Sequence, residues 1–238
     1  MKSLLPLLQP GINAAKKNAV TILFIQFCCV ILVVSYYQFE AVRLWADQVG
    51  VLKKNGGLVA AFVSCFIAGG FFPEIAKFCV RKSPKYDRAQ VTRVLWTAVV
   101  YGYIGVTVDI FYNLQATLFG SGVDVVTLAK KMAFDILVFA PLFSIPTSVM
   151  LFTFGYDGFN REFWTKKAFT KKYLMNAVLP AMPMGWAFWI PVLLCLYSLP
   201  TSLQFPFAML AEAAWSILFV FLLTPEDDPD LNEFPAMV

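Results

Sequence analysis

Six apolar runs alternate with short charged connections along this chain, at about 19–37, 58–80, 94–119, 132–154, 173–199 and 203–223. About 20 apolar residues rising 1.5 Å each cross a hydrocarbon core of roughly 30 Å. The pattern predicts an all-α fold: a polytopic transmembrane helical bundle of about six spans, with residues 1–224 as one membrane domain. Residues 225–238 hold Glu226, Asp227, Asp228, Asp230 and Glu233 and predict an acidic, solvated tail.

The connections refine this picture. Residues 1–17 read as a short lead, broken by Pro6 and Pro10 and too short in its apolar piece for a signal peptide. Residues 40–57 carry mixed charge and an apolar face around Val42, Leu44, Trp45 and Val49, which predicts a short interfacial helix. In the second run, Ala60, Ser64 and Ala68 form one stripe of small residues and Ala61, Cys65 and Gly69 another. Such stripes let helix backbones approach closely in a membrane. Gly102 and Gly105 offer the same in the third run, and Arg93 stands before it at headgroup depth. Pro141 and Pro146 predict a kink in the fourth run, and Pro180, Pro183 and Pro191 predict bends in the fifth.

Composition then sets the class. The chain is 59% hydrophobic and 14% charged, against about 45–50% and ~25% for a soluble domain. Histidine is absent, which removes the common imidazole base and most zinc sites. The cysteines (Cys28, Cys29, Cys65, Cys79 and Cys195) all lie in or beside apolar runs and form no C-x-x-C pair, so no disulfide framework and no metal site are expected. The chain has no phosphate-cradling glycine loop, nucleophile elbow or metal-ligand cluster.

The net charge is +4, with the basic residues concentrated in connections. Most stand before the first run and after the second and fourth, for example Lys16, Lys17, Arg88, Lys166, Lys167, Lys171 and Lys172. The positive-inside rule then puts both termini on the cytoplasmic side. The expected partner is the lipid bilayer, with anionic lipid at the basic loops. Nucleic acid is not an expected partner, and a homo-oligomer is an open alternative to a lone bundle.

The acidic groups in the runs are the candidates for function, because an ionisable residue in a span must face protein or water. Asp109 lies past the middle of the third run, with Tyr112 and Asn113 three and four residues on. Glu212 lies near the middle of the sixth run, and Asp135 and Glu74 nearer span ends. No cation stands within a helical turn of Asp109 or Glu212, so both are expected to turn inward and meet in one wet path. The alternative is that they hydrogen-bond between helices and hold the bundle together. Lys131 and Asp135 stand four apart, which pairs them on one helix face. That pair would order the start of the fourth helix at a pore mouth, or be an exposed ion pair worth about 0.5 kcal/mol or less. Trp186, Trp189 and Trp215 read as core packing or an interface belt ahead of a ligand-stacking set.

Several short patterns recur in a set order. Asp87, Gln90 and Arg93 occupy a D-x-x-R-x-x-R frame in which Gln90 replaces an arginine. Gly105-Val106 and Phe111-Tyr112 stand at a glycine-proline and a tryptophan-tyrosine pair. Lys131, Asp135 and Pro141 keep a further spacing, with Ile136 replacing a glutamine. Trp189 with Pro191, Leu199-Pro200 and Trp215 follow, and Gln204 replaces an arginine. In order and spacing these elements resemble the Mpv-seventeen family of small channel-like membrane proteins from the mitochondrial inner membrane and the peroxisome. The resemblance covers about residues 87–223. It implies a small helical bundle forming a weakly selective pore without a cofactor, and it singles out Arg93, Gly105, Tyr112, Lys131, Asp135, Pro141, Pro191, Pro200 and Trp215.

The resulting expectation is an integral membrane protein of a bacterial inner membrane or an organellar one, acting as a passive, weakly selective channel for small solutes or ions and not as an enzyme. A non-transporting scaffold and a histidine-free intramembrane enzyme acting on lipid are the alternatives.

Overall fold

A computed structural model of the protein describes residues 5–80 and 87–222, with side chains at 77–80 and 218–222 excepted. Arg81, Lys82 and Lys85 of the basic connection, the Cys79 side chain and the acidic tail lie outside the described residues. The described residues are all-α, and five of their helical stretches are long and apolar enough to cross a membrane: Ala19–Gln38, Glu40–Ala76, Arg88–Phe119, Val125–Tyr156 and Lys171–Tyr197.

The chain opens with helix α1 (Leu5–Lys17), where the sequence predicts a broken lead. Pro6 falls in the first turn, where no N–H is needed, and Pro10 inside the helix does not end it. The helix is held from outside, against the helix that carries Pro180. A Cβ on Gly11 would stand 2.0 Å from the Pro180 carbonyl oxygen, so only glycine permits the contact.

Helix α2 (Ala19–Gln38) ends at Phe39, which is extended, and α3 (Glu40–Cys65) follows at once. The expected interfacial helix is the first part of α3. Gly57, at φ 54° and ψ −138°, breaks α3 just where the second apolar run begins. A π turn (Phe66–Phe71) leads on into α4 (Phe72–Val80).

Helix α5 (Arg88–Phe119) is capped by Asp87, whose carboxylate accepts the Gln90 N–H at 2.7 Å, and it ends at Gly120 with φ 87°. The seam between α5 and the α3–α4 stretch uses the stripe of Ala61, Cys65 and Gly69. A Cβ on Gly105 would stand 2.6 Å from Cys65 Sγ and 2.7 Å from the Ala61 oxygen, and one on Gly69 would stand 2.1 Å from Cγ of Tyr101.

Asp124 caps α6 (Val125–Phe134) by accepting from the Val126 and Thr127 N–H groups at 3.1 Å each. Hydrogen bonding from Thr127 holds its carboxyl below the ordinary aspartate value. A π stretch (Asp135–Ser144) containing Pro141 joins α6 to α7 (Ile145–Tyr156), and replaces the simple kink expected there.

The basic connection that follows is folded. Phe163, Tyr173 and Met150 are buried in an aromatic satellite core, and Lys166 and Lys167 pair with Glu162 and Asp157 at 2.9 and 3.1 Å. A short α8 (Lys171–Tyr173) and a π turn (Leu174–Val178) lead into α9 (Leu179–Tyr197), and α10 (Thr201–Leu222) closes the described chain.

The core is centred on α9, where Phe188, Val192, Leu196 and Tyr197 are fully buried. Pro191 has no N–H for the carbonyl four residues before it, that of Ala187. Gln26 of α2 fills the gap, donating from Nε2 to the Ala187 oxygen at 2.8 Å and to the Phe188 oxygen at 3.1 Å. An unsatisfied carbonyl in hydrocarbon costs several kcal/mol, so a partner on a neighbouring helix stabilises the bend.

Gln26→Leu should therefore lower stability by about 1–3 kcal/mol. The same change in a Pro191→Ala background should cost clearly less, because residue 191 then supplies its own N–H. Chemical unfolding of the four proteins in detergent, followed by tryptophan fluorescence, measures the difference. Equal costs in both backgrounds would refute the account.

Candidate functional site

Four helical stretches surround one long cavity of about 390 Å³. Helix α5 lines it with Thr97, Tyr101, Ile104, Val108 and Tyr112, spaced three or four apart along one face. Helix α10 supplies Phe205, Ala208, Glu212 and Trp215 in the same manner, and α9 supplies Met184, Trp186, Trp189 and Leu193. The fourth wall is the π stretch and α7. In a π turn the backbone bonds i to i+5, which widens the helix and changes which side chains share a face. Asp135, Phe139, Ala140 and Ser144 reach the cavity from that stretch.

The two ends differ. At one end Asp157 and Lys167 pair at 3.1 Å with side chains 40% and 54% exposed, so this end meets solvent or headgroups. At the other, Asp135 is buried and accepts a hydrogen bond from the Tyr197 hydroxyl at 2.6 Å. The Tyr112 ring meets the Tyr197 ring edge-on at 5.8 Å, and Phe111 stacks on Phe139 at 3.8 Å. This end is closed by aromatic packing and one buried hydrogen bond.

Around that closed end the sequence reading of Lys131 and Asp135 needs correction. Both side chains are buried, so they form no exposed pair. The Asp135 carboxylate is taken by Tyr197, and Lys131 Nζ has no hydrogen-bond partner among the described residues. Gln115, also fully buried, donates to the Lys131 carbonyl at 3.0 Å. Tyr197 and Gln115 escaped sequence reading because each is an ordinary residue near the end of an apolar run. Only the fold brings them to Asp135 and Lys131.

Asp109 needs the larger correction. It does have a cationic partner: Lys53 of α3 donates to its carboxylate, and the two side chains are 17% and 6% exposed. Lys53 also lies 5.0 Å from the centre of the Phe205 ring on α10, a cation–π contact. Along the sequence Lys53 falls in the connection 40–57, and the helical period shows only partners one turn away. Gly57, four residues on, is the signal that the helix carrying Lys53 turns back against the bundle. Asn113 donates to the Asp109 carbonyl at 2.8 Å and is otherwise exposed, so it does not share the surroundings of Tyr112.

The structure thus brings Tyr112, Asp135 and Glu212 to one cavity and leaves Asp109 and Asn113 outside its lining. Glu212 has no hydrogen bond or ion pair among the described residues. The three tryptophans set aside as core or belt all line the cavity, with Trp189 and Trp215 ring centres 6.5 Å apart.

The other singled-out residues have mixed positions. Gly105 sits in the α3–α5 seam and also borders the cavity. Pro141 lies in the π stretch and Pro191 inside α9, while Pro200 stands between α9 and α10 and accepts from the Leu203 N–H at 2.8 Å. Arg93 is half-buried near the start of α5 and is not among the lining residues. No family model, curated protein or solved structure matches this chain.

The Lys53–Asp109 pair supplies its own test. Removing one partner of a buried pair leaves the other charge unpaired at a cost of about 3–5 kcal/mol, whereas an apolar pair of similar volume is often nearly neutral. Asp109→Leu should destabilise the protein on that scale, and Lys53→Met combined with Asp109→Leu should recover most of the loss. Thermal unfolding of the two variants in nanodiscs reads this. If the double variant is less stable than the single one, the pair is not what holds this corner.

Proposed function

We propose that this chain forms a passage for small solutes through a membrane. In this reading the bundle has six spans, four of which line the passage, with α10 as the sixth and both termini on the cytoplasmic side. The membrane is a bacterial inner membrane or an organellar one. The observation that carries the reading is the continuous cavity running along four apolar helices, from the exposed Asp157–Lys167 end to the buried Asp135–Tyr197 contact. A scaffold has no use for a cavity of this size among membrane-length helices, because close packing would stabilise the bundle better.

The closed end is then a gate. Its parts are the Tyr197 hydroxyl on α9, the Asp135 carboxylate on the π stretch and the Tyr112 ring on α5. Opening requires α9 and the π stretch to part. The asymmetry of basic residues between connections supports the orientation, and the ordered resemblance to the Mpv-seventeen family supports the channel class.

Purified protein in a planar bilayer should pass current. Tyr197→Phe should raise the open fraction by about tenfold, the equivalent of losing one hydrogen bond to a charged acceptor. No conductance and no solute flux from either protein would overturn the passage in favour of a scaffold. Turnover of lipid by the pure protein would favour the enzyme. For the orientation, cysteines introduced at Ser121 and Thr165 should label from opposite sides of the membrane, Thr165 from the cytoplasmic one. Labelling of both from one side would contradict the arrangement.

A further inference from the structure

We propose that the cavity binds organic cations: a quaternary or protonated amine carrying an apolar body and an oxygen acceptor. This rests on the passage reading and names its class of solute. The Glu212 carboxylate borders the cavity and is engaged by no other group among the described residues. Trp215 stands three residues on along the same helix, and Trp189 of α9 faces it with ring centres 6.5 Å apart. Trp186, one turn before Trp189, also lines the cavity, and its buried Nε1–H has no acceptor among the described residues.

Three chemical requirements follow from these groups. The free carboxylate attracts a positive charge, and indole faces attract a cation most strongly where water is excluded. The unpaired Trp186 N–H calls for an acceptor on the ligand, since a buried donor left unmade is costly. The remaining walls are alkyl and aryl and suit an apolar body. Charge balance agrees: Asp135 and Glu212 stand in the cavity, while the one lysine among its described lining residues, Lys167, is paired to Asp157 at the exposed end. A hard metal ion does not fit, because it needs several oxygen ligands converging on one point. At about 390 Å³ the space takes roughly a dozen water-sized groups of ~30 Å³ each.

Benzoylcholine carries all three features and serves as the probe, titrated into the protein in detergent and followed calorimetrically. Saturable binding is expected. Glu212→Gln, which keeps the side-chain shape, should weaken binding by about tenfold or more. Trp186→Phe should weaken it by a smaller factor, and Glu162→Gln in the surface connection should leave it unchanged. Failure of the wild-type protein to bind overturns the proposal, as does undiminished binding by Glu212→Gln. It is equally overturned if the neutral isostere, with a tert-butyl group in place of the trimethylammonium, binds as tightly as benzoylcholine. Because the readout is binding, its failure leaves the passage reading intact. Absent flux with intact binding would overturn only the passage.

Discussion

The ion pair between Lys53 and Asp109 is the contact on which the rest of this bundle depends. Asp109 lies on a helix long and apolar enough to cross a membrane, in a position where an unpaired charge is expensive. Lys53 resolves this from a different helix, and the break at Gly57 gives it the freedom to do so. The ammonium also faces the Phe205 ring, so one cation ties together α3, α5 and α10. Asp109 is neutralised there, and Tyr112, three residues on along α5, lines the cavity. Of the acidic groups that line the cavity, Asp157 is paired with Lys167 and Asp135 is engaged by Tyr197, while Glu212 has no hydrogen bond or ion pair among the described residues.

A second constraint is the backbone. Within hydrocarbon every N–H and C=O must find a partner inside the protein. Proline in the middle of a helix breaks that rule locally, and this chain has prolines inside α1, the π stretch, α9 and α10. Gln26 shows how the debt is met at Pro191, by donating to a carbonyl from a neighbouring helix. The π stretches are another consequence, since they pass backbone bonds to a later residue and widen the helix. A bundle of straight, ridged helices would close on itself, whereas a wide π stretch beside a proline-bearing α9 leaves room for a cavity.

Much of this was legible in the amino-acid sequence because it is written in local terms. Apolar runs of bilayer length give the all-α class and its membrane-length helices, the boundaries drawn after residues 57 and 119 fall on real breaks, and the stripe of Ala61, Cys65 and Gly69 is the seam it resembles. The pairing of charges was not legible, because Lys53 and Asp109 are 56 residues apart. Asp135 likewise looks along its own helix to Lys131 and in the fold turns to Tyr197, which lies 62 residues away. α1 escaped because its helix is held by α9 more than by its own residues. The tryptophans were read as packing for a sound reason, since most aromatic residues in spans do pack. Only the arrangement of the four helices reveals a space between them.

The central claim is that water reaches the cavity between these helices. Accessibility of introduced cysteines tests it directly, in a background with the native cysteines replaced. Ser148→Cys, on the cavity wall, should react with a membrane-impermeant thiol reagent added from the Asp157–Lys167 side. Leu142→Cys, whose side chain is 75% exposed on the outer surface of the same stretch, should be shielded by lipid. If Ser148→Cys proves as unreactive as Leu142→Cys from both sides, the cavity is sealed and the account of this protein as a passage is wrong.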